Sequence, residues 1–215
     1  MSNYWTHYDR MPERWQTVRA QPPVTALMTL AEARSHLRLD ACDGTHPDDA
    51  LVTLLIAAVT SELDGVDGWL GRALQPQAYR LILDRFPCYR DRIRLPMTSP
   101  QTPGVMPITH VRYLDDEGIT VDLDDWVVAV ASDPIYLLPA PATAWPDVRC
   151  QPGAVEILYD AGYESIPEMI RAYAKVRLGQ LYEFRELVVA GVSIAPVPYL
   201  LDSLENFRAR WHSPV

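Results

Sequence analysis

The stretch HPDDALVTLLIAAVTSELDGVDGWLGRAL, His46–Leu74, decides how the rest of the chain is read. Pro47, Asp48 and Asp49 suit a helix start, because proline fits the first turn and acids sit where free N–H groups point outward. Val52, Ile56, Val59, Leu63, Val66 and Leu70 recur every three or four residues, the period of one helix face. Leu51, Leu54, Leu55 and Ala58 widen that seam, so more than one side needs cover. Gly71 stands where a left-handed cap is expected, and Gly65 and Gly68 each weaken the last turns by about 1 kcal/mol relative to alanine. The expectation is a packing helix of about 23 residues, ~35 Å long, with no chemistry on it.

Working outward, Thr29-Leu30-Ala31-Glu32 is a capping box in which threonine caps and glutamate reaches back. It predicts a short helix to about Leu37, with Leu30, Ala33 and Leu37 inward and His36 exposed. Upstream, Tyr4, Trp5, Tyr8 and Trp15 precede Pro22-Pro23, which reads as a loose arm or as one laid on a neighbouring subunit. Downstream of Gly71 the period changes to two. Tyr79, Leu81 and Leu83 alternate with Arg80, Ile82 and Asp84, and Val155, Ile157 and Tyr159 with Glu156, Leu158 and Asp160. Between these strands lie a short strand at Ile93–Leu95, a proline loop at Pro96–Pro107 and a hairpin, Thr109–Leu114 with Ile119–Leu123, turning at Asp116-Glu117-Gly118. A second hairpin joins Trp126–Ala131 to Ile135–Leu138.

Ser165 and Glu168 form another capping box and open a second long helix to about Val188, with Ile170, Tyr173, Ala174, Leu178 and Leu181 inward, packed on the first. After Gly191, Pro196 and Pro198 comes a terminal helix with Leu200, Leu204, Phe207 and Trp211 on one face. The expected fold class is α+β: a helical bundle core of two long helices plus short ones, with an antiparallel β insertion between them. The corresponding segments are an arm at 1–27, a helical core at 28–75 and 162–190, a β-rich insertion at 76–161 and a C-terminal arm at 191–215.

A chain of 215 residues suits one domain, or one with an insertion. The net charge of -9 argues against a surface made to grip nucleic acid. Cys42, Cys88 and Cys150 lie far apart, without the spacing of a zinc site or a disulfide framework, which fits a reducing cytoplasm. No apolar run approaches a membrane span, and Asp9, Arg10, Glu13 and Arg14 do not make a signal peptide.

Chemistry-bearing patterns are few. No phosphate-binding glycine loop, HExxH or GxSxG occurs, and His7, His36, His46, His110 and His212 have no ligand spacing. Asp115, Asp116, Glu117, Asp122, Asp124 and Asp125 read as a solvated hairpin tip, or else as a cation-binding or acid–base cluster of a small hydrolase. Arg171, Lys175, Arg177 and Arg185 read as the wet face of the second helix, paired with Glu183 and Glu186, or as a phosphate contact.

Four segments in order, Met28–Asp40, Asp48–Leu74, Tyr79–Pro87 with Ile93–Pro96, and Val155–Glu186, give the chain a resemblance to the head–tail connector (adaptor) proteins of long-tailed bacteriophages and gene transfer particles. The resemblance implies a structural virion protein with no catalytic residue, cofactor or metal. It implies a homo-oligomeric ring of about a dozen subunits at the particle neck, between the portal protein and a tail-side stopper or tail terminator protein. Genomic DNA would pass through without specific binding, no membrane would be involved, and synthesis would be in the host cytoplasm. Connectors resemble one another in turning their C-terminal part to the portal, so Leu200, Leu204, Phe207 and Trp211 are the expected portal contact. The alternatives are the small hydrolase and a nucleic-acid-binding module.

Overall fold

In the computed structural model, residues 15–40, 44–87, 91–98, 108–130, 135–149, 151–184 and 204–208 are described. The three cysteines, residues 99–107 of the proline loop, Arg185, Leu200, Trp211 and the first fourteen residues of the expected arm lie outside them. The chain divides into two units, Met1–Pro23 with Pro76–Tyr163, and Val24–Gln75 with Glu164–Val215.

The first unit is built of strands. A five-stranded antiparallel sheet has β1 (Trp15–Gln21), β2 (Gln77–Leu83), β8 (Val155–Ala161), β4 (Ile108–Leu114) and β5 (Thr120–Asp122) side by side. The period-two pattern does what alternation requires. Tyr79, Leu81 and Leu83 of β2 and Val155, Ile157 and Tyr159 of β8 are fully buried on one face, while Arg80 and Glu156 point to the other. Tyr79 and Tyr159 face each other in register and stack with centroids 6.3 Å apart. The Tyr159 hydroxyl donates to the Pro96 carbonyl at 2.7 Å, so a group too buried to meet water keeps a partner. A second, three-stranded sheet runs β3 (Ile93–Arg94), β7 (Tyr136–Pro139), β6 (Trp126–Ala129), with Ile93 and Leu137 buried and paired. Trp145, from the loop after β7, stacks flat on Phe86 at 4.8 Å and donates its indole N–H to the Asp91 carbonyl.

The second unit carries α1 (Leu30–Leu37), α2 (Asp49–Leu63) and α3 (Glu168–Glu183). The first capping box forms as read: the Thr29 hydroxyl accepts the Glu32 N–H, and the Glu32 carboxylate accepts the Thr29 N–H at 2.8 Å. Arg38, in the left-handed region at φ 57°, ends α1 by donating to the Arg34 and Ser35 carbonyls. Val52, Ile56, Val59 and Leu63 on α2 and Ile170, Ala174 and Leu178 on α3 are the buried seams, and the two helices pack together.

The helical bundle core with two long helices is overturned. Among the described residues the three helices are 8, 15 and 16 residues long and stand beside eight strands in two antiparallel sheets, so the fold is β-rich. The cause for α2 is local. The apolar spacing runs on to Leu70, but the helix stops at Leu63 because Asp64 turns extended. Its carboxylate accepts the Leu74 N–H at 2.7 Å, and the Gly65 N–H reaches the Arg72 carbonyl at 2.9 Å. Residues 64–74 thus fold back on the helix end, with Gly65 at φ 86° and Gly71 at φ 59°. The glycines taken to weaken a helix instead end it. For α3, the Ser165 box does not form: Pro167 is the N-cap, with no side-chain cap bond. The other surprise is β1, where an arm was expected. Trp15–Gln21 pairs with β2 at the sheet edge, exposed along nearly its whole length, so no alternation announces it.

A Cβ at Gly68 would lie 2.6 Å from the backbone N, C and O of Asp64, whereas one at Gly179 in α3 would make ordinary contact with His36 at 3.6 Å. Gly68→Ala should therefore destabilise the protein by on the order of 2–4 kcal/mol. Gly179→Ala should be neutral or stabilising by up to ~1 kcal/mol. Chemical denaturation of the two variants checks the contrast.

Candidate functional site

The expected portal residues belong to the second unit. Leu204 is fully buried and Phe207 half-buried; Leu200 and Trp211 lie outside the described residues. The Phe207 carbonyl accepts Arg72 Nε–H at 2.9 Å, and the Arg208 guanidinium stands 5.4 Å over the Trp69 ring. Residues 204–208 are thus seated on the loop that ends α2. Sequence reading did not foresee Arg72 and Trp69 in this role. Their only signal is a cation and an indole inside an apolar, glycine-bearing run.

Two basic residues of α3, Arg171 and Arg177, reach other helices; Glu186, their other expected partner besides Glu183, lies outside the described residues. Arg171 pairs with Glu32 of α1 at 2.7 Å, and Arg177 with Glu62 of α2 at 2.9 Å. Arg34 of α1 holds Asp49 of α2 through both nitrogens of its fork, and the Tyr182 hydroxyl donates to Asp48. These ties fix the three helices to one another, and they engage Arg171 and Arg177, two of the four cations considered as a phosphate contact. The carboxylates respond in kind. The Thr29 N–H, then its hydroxyl, hold Glu32 below the usual range; the Arg34 hydrogen bond, then the His46 N–H, do the same for Asp49.

The acidic residues sit where the hairpin turns. Asp115 Oδ1 accepts the Glu117 and Ile119 N–H groups at 3.0 and 2.8 Å, with Gly118 at φ 83° closing the turn. Asp122 takes Arg112 Nε–H at 2.6 Å. Asp116, Glu117, Asp122, Asp124 and Asp125 are exposed, so the six do not converge on a pocket, and no metal-holding group of acids, histidines or cysteines occurs among the described residues. On the outer face of the large sheet, Glu156 stands between Arg80 (3.4 Å) and His110 Nε2 (3.1 Å). That is a set of cross-strand polar pairs, ordinary for a face in contact with water.

The chain matches no family model and no curated protein. Its fold is shared with chains of solved particles. One comes from the neck of an empty GTA particle computed with C6 symmetry: 24% identity, TM-score 0.65, covering 91% of this chain and 96% of that one. Another comes from the virion of a native gene transfer agent particle, with 22% identity and TM-score 0.64 over 93% and 96%. A third comes from the neck of a native GTA particle computed with C12 symmetry, with 23% identity and TM-score 0.56 over 91% and 96%.

A carboxylate whose folded pKa is depressed adds stability that is complete above its unfolded value and is lost as pH falls through the folded value. Glu32 and Asp49 both follow this sign, from ordinary values of 4.5 and 3.8. In the first unit, Asp160 runs the other way, raised by burial. Hydrogen exchange should therefore show α1 and α3 amides losing protection as pH falls from ~5 to ~3. Glu32→Gln should flatten that dependence.

Proposed function

We propose that this chain is a structural subunit of a particle neck. In this reading it is a head–tail connector, repeated as a ring between the portal and the tail-side neck protein, with an open channel for DNA. About twelve copies would match the C12 symmetry of one neighbouring neck. The observation that carries the reading is the extent of the fold likeness. It covers 91–93% of this chain and 96% of each neighbouring chain, so it takes in nearly all of the protein and not one borrowed motif.

The chemistry of the surface supports it. Duplex DNA carries about one negative charge per 1.7 Å, and a chain of net charge -9 offers it little to hold on to. The acidic hairpin spends Asp115 on its own turn and Asp122 on Arg112, so no observation favours a hydrolase. Within the same reading, Leu200, Leu204, Phe207 and Trp211 form the portal-side contact. Leu204 anchors the segment on its own unit, while Phe207 and Trp211 supply the aromatic contact that helix-in-groove recognition uses.

Cells that make particles without this chain should accumulate filled heads and separate tails, and the full chain supplied in trans should restore joining. The purified protein should bind duplex DNA no tighter than ~1 μM at physiological salt. Joined, infective particles made in its absence would sink the proposal.

A further inference from the structure

Among the described residues of the second unit, two helix backs stay exposed. On α2, Ala50, Thr53, Leu54, Ala57, Ala58 and Ser61 lie opposite the buried seam, and all are exposed, Leu54 by 65%. No charged residue occurs from Ala50 to Ser61, which is unusual for the outer side of a surface helix. On α3, Met169, Ala172 and Val176 likewise lie opposite Ile170, Ala174 and Leu178, with Met169 and Val176 exposed by 39% and 37%. Their spacing of three and then four is the seam spacing of paired helices.

We infer that these two backs are the two halves of one contact between copies of this chain, the α2 back of one subunit packing on the α3 back of the next. This rests on the ring proposed above and names the surfaces that join its subunits. The shapes suit each other: Leu54 is a single large knob among alanines, threonine and serine, and Ala172 is the gap between two larger side chains. The electrostatics suit a second copy above other partners. Two chains of net charge -9 repel, and less where one touching face, the α2 back, carries no charge; on α3 the charges Glu168 and Glu183 stand at the two ends of the back, and nearby Glu32, Glu62 and Asp49 are already paired within the unit. A nucleic acid would find no cation on the α2 back.

Two different surfaces meeting head to tail generate a ring when the rotation closes, as a two-fold contact does not. Helices of 15 and 16 residues offer a narrow strip, whereas a stable isolated interface takes ~800 Å² per partner. The contact should therefore be weak between two free subunits and secure only where each subunit holds a neighbour on both sides.

The test is cysteine cross-linking of the full-length chain, with Cys42, Cys88 and Cys150 replaced by serine. Leu54→Cys and Val176→Cys are introduced together and singly. The protein is oxidised in the oligomer seen by electron microscopy, whether formed in concentrated solution or in particles. The double variant should give a ladder extending beyond the dimer, and each single variant no cross-link. Rings that form without a ladder overturn this contact and leave the ring standing. Dimers from Leu54→Cys alone overturn it in favour of a two-fold pairing. If the thiol of the Leu54→Cys variant is shielded from maleimide in the monomer, that overturns the contact in favour of the chain's own uncharged stretch Leu187–Leu201 as occupant. The absence of any oligomer in solution and in particles overturns the ring itself.

Discussion

One buried carboxylate sets where the second unit's main helix stops. Asp64 gives its N–H to the Thr60 carbonyl as the last bond of α2, then turns extended and accepts the Leu74 N–H from ten residues on. A buried amide left without a partner costs roughly 1–3 kcal/mol, and a buried charge without one costs more, so the two groups hold each other. The return loop brings Leu70, Ala73 and Leu74 into the core and puts Trp69 and Arg72 where residues 204–208 are seated. Gly68 permits the close approach, since any side chain there would collide with the Asp64 backbone. The stop at Leu63, the glycine spacing and the seat of the C-terminal segment are one device.

Several charged residues among those described serve structure. Arg34, Arg171 and Arg177 tie three short helices together through Asp49, Glu32 and Glu62, and Asp115 shapes a turn. Such half-exposed pairs add little stability individually, typically ~1 kcal/mol or less, but they fix which way each helix faces. The α2 back carries no charge, and Met169, Ala172 and Val176 give α3 a short apolar stretch on its outer side. In the proposed ring, the uncharged α2 back would meet a neighbouring copy without a charge having to leave water.

Local chemistry was legible in the sequence wherever a short pattern has one structural solution. Thr29 and Glu32 announce a cap, Asp116 to Gly118 a hairpin turn, and the alternation at 79–83 and 155–159 two inner strands of the large sheet. What was not legible depended on distant partners. The apolar period running through Val66 to Leu70 is indistinguishable from helix until Asp64 is seen to reach Leu74. Trp15–Gln21 has no inward face, so only its pairing with β2 makes it a strand. The Ser165 box lost to Pro167, whose fixed φ starts the helix later. Overreading the helices led to the wrong fold class. For the portal contact, the spacing of Leu200, Leu204, Phe207 and Trp211 did not announce that Leu204 would be buried in its own unit.

The central claim, that this chain is a repeated subunit of a particle neck, is tested most directly by a cryo-electron microscopy reconstruction of the neck of particles that carry it. Copies of both units should repeat around the axis in a closed ring between the head vertex and the tail, enclosing an open channel. A neck in which this chain is missing, or present as a single copy off the axis, would contradict it.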